Sequence, residues 1–195
     1  MSEPGEASLP ELALLGGSFD PPHLGHVFLA AYALSMGVAR VLVLPVYQHA
    51  FGKPLSDFEH RLRMCELAFR DLKRVEIDPL ERELGGVSRT LRLVEAIGAR
   101  HPGYALRTLV GADILAETSR WQSFDEIARR APLLVAGRGG HALAPSTPPA
   151  PLLPAISSSE IREQLARGEQ PRGVLPQAVL DYVRAHGLYV AAGRA

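Results

Sequence analysis

The apolar run Leu12-Ala13-Leu14-Leu15 breaks at Gly16-Gly17, passes through Ser18-Phe19-Asp20-Pro21-Pro22-His23-Leu24-Gly25-His26, and leads into a helical pattern from Val27 to Met36. A buried strand that stops at paired glycines and resumes as a helix commits the chain to a strand–turn–helix unit. It is also a phosphate-binding geometry. The glycines let backbone come close to a ligand, and the new helix is expected to aim free N–H groups at it. His23 and His26 sit where that helix begins, at a spacing that places both side chains on one face. Imidazole donates hydrogen bonds to phosphate oxygens and adds positive charge when protonated. The rival glycine signatures are absent: there is no Gly-x-x-x-x-Gly-Lys-Ser/Thr, and no Gly-x-Gly-x-x-Gly follows the first strand.

Apolar runs of strand length recur at Val41–Val46, Val75–Ile77, Leu106–Val110 and Leu133–Ala136. Helical patterns lie between them near Gly25–Met36, Phe58–Asp71 and Arg89–Arg100. This alternation predicts an α/β, Rossmann-like, doubly wound parallel sheet. A C-terminal helical segment follows, with one helix opened by Ser157 and closed at Arg167-Gly168, and another from about Pro176 to His186. Capping-box spacing marks Ser56/Glu59, Ser123/Glu126 and Ser157/Glu160. Residues 1–10 read as a loose tail, residues 11–190 as one domain, and residues 137–154 as a long surface loop.

In such a sheet, ligands bind beyond the carboxyl ends of the strands at a switch in strand order. Gly16 to His26, Gly111-Ala112-Asp113 and Gly137-Arg138 all follow strands and can converge there. The second strong motif is Ile156-Ser157-Ser158-Ser159-Glu160-Ile161-Arg162. Its serines stand at a helix start with Arg162 within reach, an arrangement that holds phosphate. Asp113 is either a helix N-cap or a contact to a ribose hydroxyl. Trp121, the sole tryptophan, lies in a polar stretch and is either a core side chain or a platform for a flat heteroaromatic ring.

The first motif resembles the nucleotidyltransferase superfamily whose signature is His-x-Gly-His, and its longer spelling resembles bacterial nicotinate-nucleotide adenylyltransferases in particular. Ile156 to Arg162 is similar to the superfamily's second signature, with Ser159 in place of threonine. The resemblance implies transfer of AMP from ATP to nicotinate mononucleotide, with pyrophosphate released. It implies catalytic roles for His23, His26 and Arg162. ATP would be bound by Gly16, Gly17, Ser18, Phe19, Gly25, Gly111, Asp113, Arg138, Ile156, Ser157, Ser158 and Ser159. The acceptor would meet Lys53, Ser88, Arg89, Thr90 and Trp121, with the tryptophan stacked on the pyridine. Lys53 departs from the commoner local spelling and reads equally as a solvated loop residue. Arg89 stands where the family has tyrosine, and is either a reader of the nicotinate carboxylate or a solvent-facing charge. Mg2+ is expected to bridge the ATP phosphates, with no protein metal cage. Another acceptor, nicotinamide mononucleotide or phosphopantetheine, or a nucleotide-binding regulator without turnover, is the alternative.

Composition bounds the partners. Lys+Arg and Asp+Glu each number 21, so the chain lacks the basic excess of a general nucleic-acid or membrane-surface binder. The small-molecule substrates ATP and nicotinate mononucleotide are the expected partners, and oligomeric state stays open. Cys65, the only cysteine, falls in an apolar helical pattern and reads as a core thiol. No stretch is long enough to span a membrane, and residues 1–10 do not resemble a signal peptide, so a cytoplasmic location is expected. Arg61 and Arg63 read as surface or packing charges.

Overall fold

The computed structural model describes residues 8–112, 121–137 and 154–190. Residues 1–7 of the expected tail, Asp113, Arg138 and nearly all of the 137–154 loop lie outside the described residues.

Five strands form one sheet: β1 (Glu11–Gly17), β2 (Arg40–Pro45), β3 (Val75–Ile77), β4 (Ala105–Gly111) and β5 (Leu133–Ala136). Their order is β3-β2-β1-β4-β5 and every pairing is parallel. The helices are α1 (Leu24–Ser35), α2 (Phe58–Phe69), α3 (Leu80–Leu84), α4 (Thr90–Arg100), α5 (Phe124–Arg130), α6 (Ser158–Ala166) and α7 (Gln177–Ala185). The fold is the expected α/β, Rossmann-like sheet with helices on both faces. Among the described helices α3 alone lacks a counterpart in the sequence reading, because five residues carry too little periodicity to stand out.

The strand pattern explains the two layers. Ala13, Leu15, Val41 and Val43 face one side and pack with residues of α1, α2, α6 and α7. Leu12, Leu14, Leu42 and Leu44 face the other and pack with Leu80, Leu93, Val94, Ile97 and Ile127. Alternation along a strand sends successive side chains to opposite faces, so strands covered on both sides must be apolar throughout. Each fully buried leucine contributes about 1.5–3 kcal/mol. Cys65 lies in the first cluster, fully buried, and that burial pushes its thiol well above the ordinary range, as an inert core group requires.

Register opens the site. β1 pairs with β4 only from Glu11↔Ala105 to Leu14↔Thr108, although the strands run on to Gly17 and Gly111. Their carboxyl ends therefore part at the position where strand order reverses. On the other side β1 stays paired with β2 through Gly17↔Pro45.

The helix ends partly follow the predicted signals. α6 closes at Gly168 (φ 79), whose N–H donates to Leu165 O while Glu169 N–H donates to Gln164 O. That pair of bonds satisfies the last carbonyls. Capping differs from expectation. α2 is capped by Asp57, whose Oδ1 accepts from Glu59 N–H at 2.8 Å, and not by Ser56. Ser123 and Ser157 occupy N-cap positions without a side-chain capping bond. Serine at the right spacing competes with nearer carboxylates and with tertiary partners, and spacing alone does not decide between them.

Of the two roles open to Arg61, surface or packing charge, the structure gives it the second. It is 1% exposed and donates to three carbonyls: Ser56 O at 2.9 Å, Ser18 O at 3.0 Å and Val46 O at 2.7 Å. Burial lowers its pKa, an effect opposed by the nearby Asp20 carboxylate. Arg63 is exposed and pairs with Glu66. Arg61→Met keeps the stem but leaves three carbonyls without their donor. It is expected to lower unfolding free energy by at least about 3 kcal/mol, measured by urea denaturation against Arg63→Met, which should stay within about 0.5 kcal/mol of the unaltered protein.

Candidate active site

A cleft of about 640 Å3 lies where β1 and β4 part. Its floor includes Leu14 to Gly17 and Thr108 to Gly111, and its walls come from the β1–α1 turn, the loop after β2, α4, Trp121 and the start of α6. Gly16, Gly17, Ser18, Phe19, His23, Gly25, His26, Lys53, Ser88, Thr90, Gly111, Trp121, Ile156, Ser157, Ser158, Ser159 and Arg162 all line it. These residues span most of the sequence, and the topology brings them to one sheet edge.

The histidines are held by one another. Their rings stack with centroids 3.8 Å apart, and His26 Nδ1 accepts from His23 N–H at 3.1 Å. An accepting Nδ1 places the proton of a neutral imidazole on Nε2. The edge of the His26 ring remote from its own backbone is then a donor. His23 is 5% exposed, so it stands at the bottom of the cleft rather than at its rim.

The glycines have separate causes. A Cβ at Gly16 would meet nothing within 4 Å, which leaves the backbone there open to a ligand. At Gly17 a Cβ would come within 3.1 Å of the Phe19 ring, and at Gly25 within 3.0 Å of the His23 ring. Gly17 and Gly25 thus make room for side chains of this protein. Phe19 itself has φ 48, is 1% exposed, and meets Phe69 and His26 edge-on. The expected row of free N–H groups on α1 is also partly used up. Leu24 N–H donates to Val174 O at 2.9 Å and His26 N–H to His23 O at 2.9 Å. The start of α1 therefore offers fewer N–H groups to the cleft than the sequence alone suggests.

α6 meets the β1–α1 turn. Ser158 Oγ donates to Pro21 O at 3.0 Å, and Arg162 Nη1 donates to Asp20 O at 2.7 Å. Arg162 Nη2 donates to Ser159 Oγ at 3.2 Å, which leaves the Ser159 hydroxyl hydrogen to donate elsewhere. Two histidines, three serines and an arginine give one end of the cleft a donor-rich, cationic character.

The other end is more apolar. Trp121 is half-buried: it packs against the second core cluster, lies edge-on to Phe124 at 6.3 Å, and still lines the cleft. The indole is therefore neither wholly within the core nor wholly outside the cleft. Arg89 is the N-cap of α4, exposed, and lines a smaller neighbouring cavity of about 300 Å3 together with Ser88, Thr90, Trp121 and Phe51, outside the main cleft. Lys53 is exposed in the loop after β2. The sequence reading missed Glu81, which is 6% exposed, lines the cleft and accepts from Ser88 Oγ. Burial raises its pKa, against the bond from Ser88. One carboxylate in the charged run Leu80-Glu81-Arg82-Glu83-Leu84 has no local mark that singles it out. It also missed Asp20, which is 2% exposed, although that residue lies inside the first motif.

The Cytidylyltransferase-like family profile matches residues 14–164. A probable nicotinate-nucleotide adenylyltransferase of Anaeromyxobacter dehalogenans (strain 2CP-C) is 51% identical over 183 residues, covering 92% of this chain and 96% of that protein. A probable nicotinate-nucleotide adenylyltransferase of Myxococcus xanthus is 38% identical, covering 92% of this chain and 94% of the other. Among solved structures, the nicotinic acid mononucleotide adenylyltransferase of Plasmodium falciparum in complex with NaAD shares the fold, with TM-score 0.79 at 20% identity over 92% of this chain and 97% of that one. By the extent of these matches and by the residues gathered at the parted strands, this chain belongs to the cytidylyltransferase-like family, among its nicotinate-nucleotide adenylyltransferases.

Proposed function

We propose that this protein transfers AMP from ATP to nicotinate mononucleotide, forming the deamido dinucleotide and pyrophosphate. The observation that carries the reading is a single cleft with a donor-rich end at His23, His26, Ser157 to Ser159 and Arg162 and an aromatic wall at Trp121. The acceptor's phosphate oxygen attacks the α-phosphorus of ATP in line. The new P–O bond forms as the bond to the β-phosphate oxygen breaks, so no covalent enzyme intermediate is required. The chain contributes positioning and charge stabilisation. His26, which lines the cleft, takes the charge that develops around the α-phosphate. Arg162 and the serines hold the β- and γ-phosphates. Gly16, with open space before it, lets the nucleotide lie against the end of β1.

Mg2+ is part of the same proposal. Among the described residues no group of three or more His, Cys, Asp or Glu could hold a metal. The cleft instead supplies N–H, hydroxyl and guanidinium donors, a set suited to a polyphosphate that brings its own cation with water ligands. Such an ion would supply Lewis-acid neutralisation of the phosphate oxygens.

The acceptor assignments rest on Trp121, Ser88, Thr90, Lys53 and Arg89. The pyridine stacks on the Trp121 face that lines the cleft. Arg89, at the start of α4, reads the nicotinate carboxylate from the neighbouring cavity. Pyrophosphate release from ATP, with nicotinate mononucleotide, nicotinamide mononucleotide and phosphopantetheine as rival acceptors, tests the whole reading; turnover with phosphopantetheine alone refutes it.

His26→Ala is expected to lower kcat by roughly 10²–10³, with a smaller loss in ATP affinity because the contact strengthens in the transition state. Stopped-time assays at saturating ATP measure the first effect and calorimetry the second. Trp121→Ala is expected to weaken acceptor binding by roughly 1–3 kcal/mol, the scale of a base stacked on an aromatic ring. ATP binding and the circular-dichroism spectrum should stay unchanged; loss of the fold would assign the indole to the core alone. Arg89→Gln is expected to reduce the kcat/KM ratio of nicotinate over nicotinamide mononucleotide about tenfold, as for one charged hydrogen bond. An unchanged ratio transfers carboxylate recognition to the backbone of α4.

A further inference from the structure

The chain returns to the active site at its C-terminal end, by a contact that the proposed reaction does not use. α7 closes at Gly187 (φ 57), whose N–H donates to Arg184 O while Leu188 N–H donates to Val183 O. This turn reverses the chain and brings Tyr189 back over the β1–α1 turn. Tyr189 Oη donates to Asp20 Oδ1 at 2.7 Å. The other carboxylate oxygen, Oδ2, accepts from Ser56 N–H at 3.2 Å. The carbonyl of the same Asp20 receives Arg162 Nη1 at 2.7 Å. One residue, 2% exposed, thus links the C-terminal turn on its side chain to the phosphate-end arginine on its backbone.

Two further features mark this contact as built. Tyr189 has φ 62, a left-handed conformation that L side chains adopt rarely, and Phe19 beside Asp20 has φ 48. Such backbone persists where surrounding contacts over-determine it. The Tyr189 hydroxyl is held protonated, since burial first, and the Asp20 charge and hydrogen bond next, push its pKa far above the usual value. It stays a donor wherever the enzyme operates. Arg61 secures the turn at Ser18 O, one side of Asp20, and Ser158 secures Pro21 O on the other. Asp20 is the link between them that has no helix or strand of its own.

We propose that Tyr189 is a positioning residue for Arg162: its bond to Asp20 fixes the carbonyl on which the guanidinium is seated, and so aims that guanidinium at the triphosphate. The inference rests on the assignment of Arg162 to the ATP phosphates made above. Without the hydroxyl, Asp20 keeps one partner on its carboxylate and can rotate, the carbonyl shifts, and Arg162 loses its fixed direction. A small misplacement of a positioning group is enough to cost rate.

The test is a double-mutant cycle on Tyr189→Phe and Arg162→Ala, read by calorimetric binding of an ATP analogue with a methylene between the α- and β-phosphorus, in the presence of Mg2+. Tyr189→Phe is expected to weaken analogue binding about tenfold in the unaltered background and less than about twofold when Arg162 is already alanine. Thermal melting should stay cooperative and close to that of the unaltered protein. With nicotinate mononucleotide as acceptor, kcat should fall while the acceptor's KM holds. Equal losses in both backgrounds, or no loss in either, overturn the proposal. A Tyr189→Phe chain without a cooperative melt also overturns it, because the hydroxyl is then a fold-stabilising contact only. Analogue binding by the unaltered protein without turnover of nicotinate mononucleotide refutes the acceptor reading alone, and the cycle still decides for or against Tyr189. Failure of the unaltered protein to bind the analogue refutes both.

Discussion

The turn from Ser18 to Pro22 joins β1 to the His23–His26 segment but has no helix or strand of its own to hold it. A buried guanidinium supplies part of what is missing. Arg61, on the second turn of α2, reaches the carbonyls of Ser18, Val46 and Ser56, and so ties the ends of β1 and β2 to the loop that enters α2. An arginine carries five N–H donors in a rigid fork, which suits the joining of several carbonyls from different segments. Taking a charged group out of water is costly, and the hydrogen bonds must offset that cost. Asp20 lies close enough to favour the charged form. The placement of His23, His26 and Arg162 around the cleft depends on this network.

The sheet sets the location and the side chains set the chemistry. Parallel strands that cease to pair at Leu14↔Thr108 produce an opening at the switch in strand order, whatever residues line it. A gap of that kind takes many ligands. The stacked imidazoles narrow the choice: each supports the other's orientation, and the His26 tautomer is dictated by a backbone N–H rather than by the ligand. A preorganised donor needs no reorganisation at the moment of reaction, and this is where such a site gains over water. Glu81 belongs to the opposite requirement. Its buried carboxylate consumes the Ser88 hydroxyl hydrogen, so the cleft there has fewer donors than the count of polar residues suggests.

Much of the fold was legible in the chain. Short runs rich in Leu and Val marked the five described strands, although Glu76 interrupts β3 and Arg107 and Thr108 interrupt β4, and three crossover helices were evident from period, because strands and amphipathic helices have unlike patterns. Gly168 and Gly187 marked helix ends through their left-handed backbone. The capping serines were less informative. Ser56 fits the spacing as well as Asp57 caps the helix, and the choice depends on Ser56 N–H being drawn to Asp20, thirty-six residues away in sequence. The short α3 and the burial of Arg61 were not legible for the same reason: each depends on neighbours brought in by the fold.

By itself the sequence determined the class of fold and the two motifs that line the cleft, because glycine pairs, imidazole spacing and apolar periodicity are local properties. The tertiary structure decided which glycine faces open space and which makes room for a ring, which arginine is buried, and that Glu81 lines the cleft. It also decided that Tyr189 and Asp20 meet, across 169 positions of sequence. Such choices turn on burial and on the nearest partner for each polar group, and both quantities exist only once distant segments are packed together.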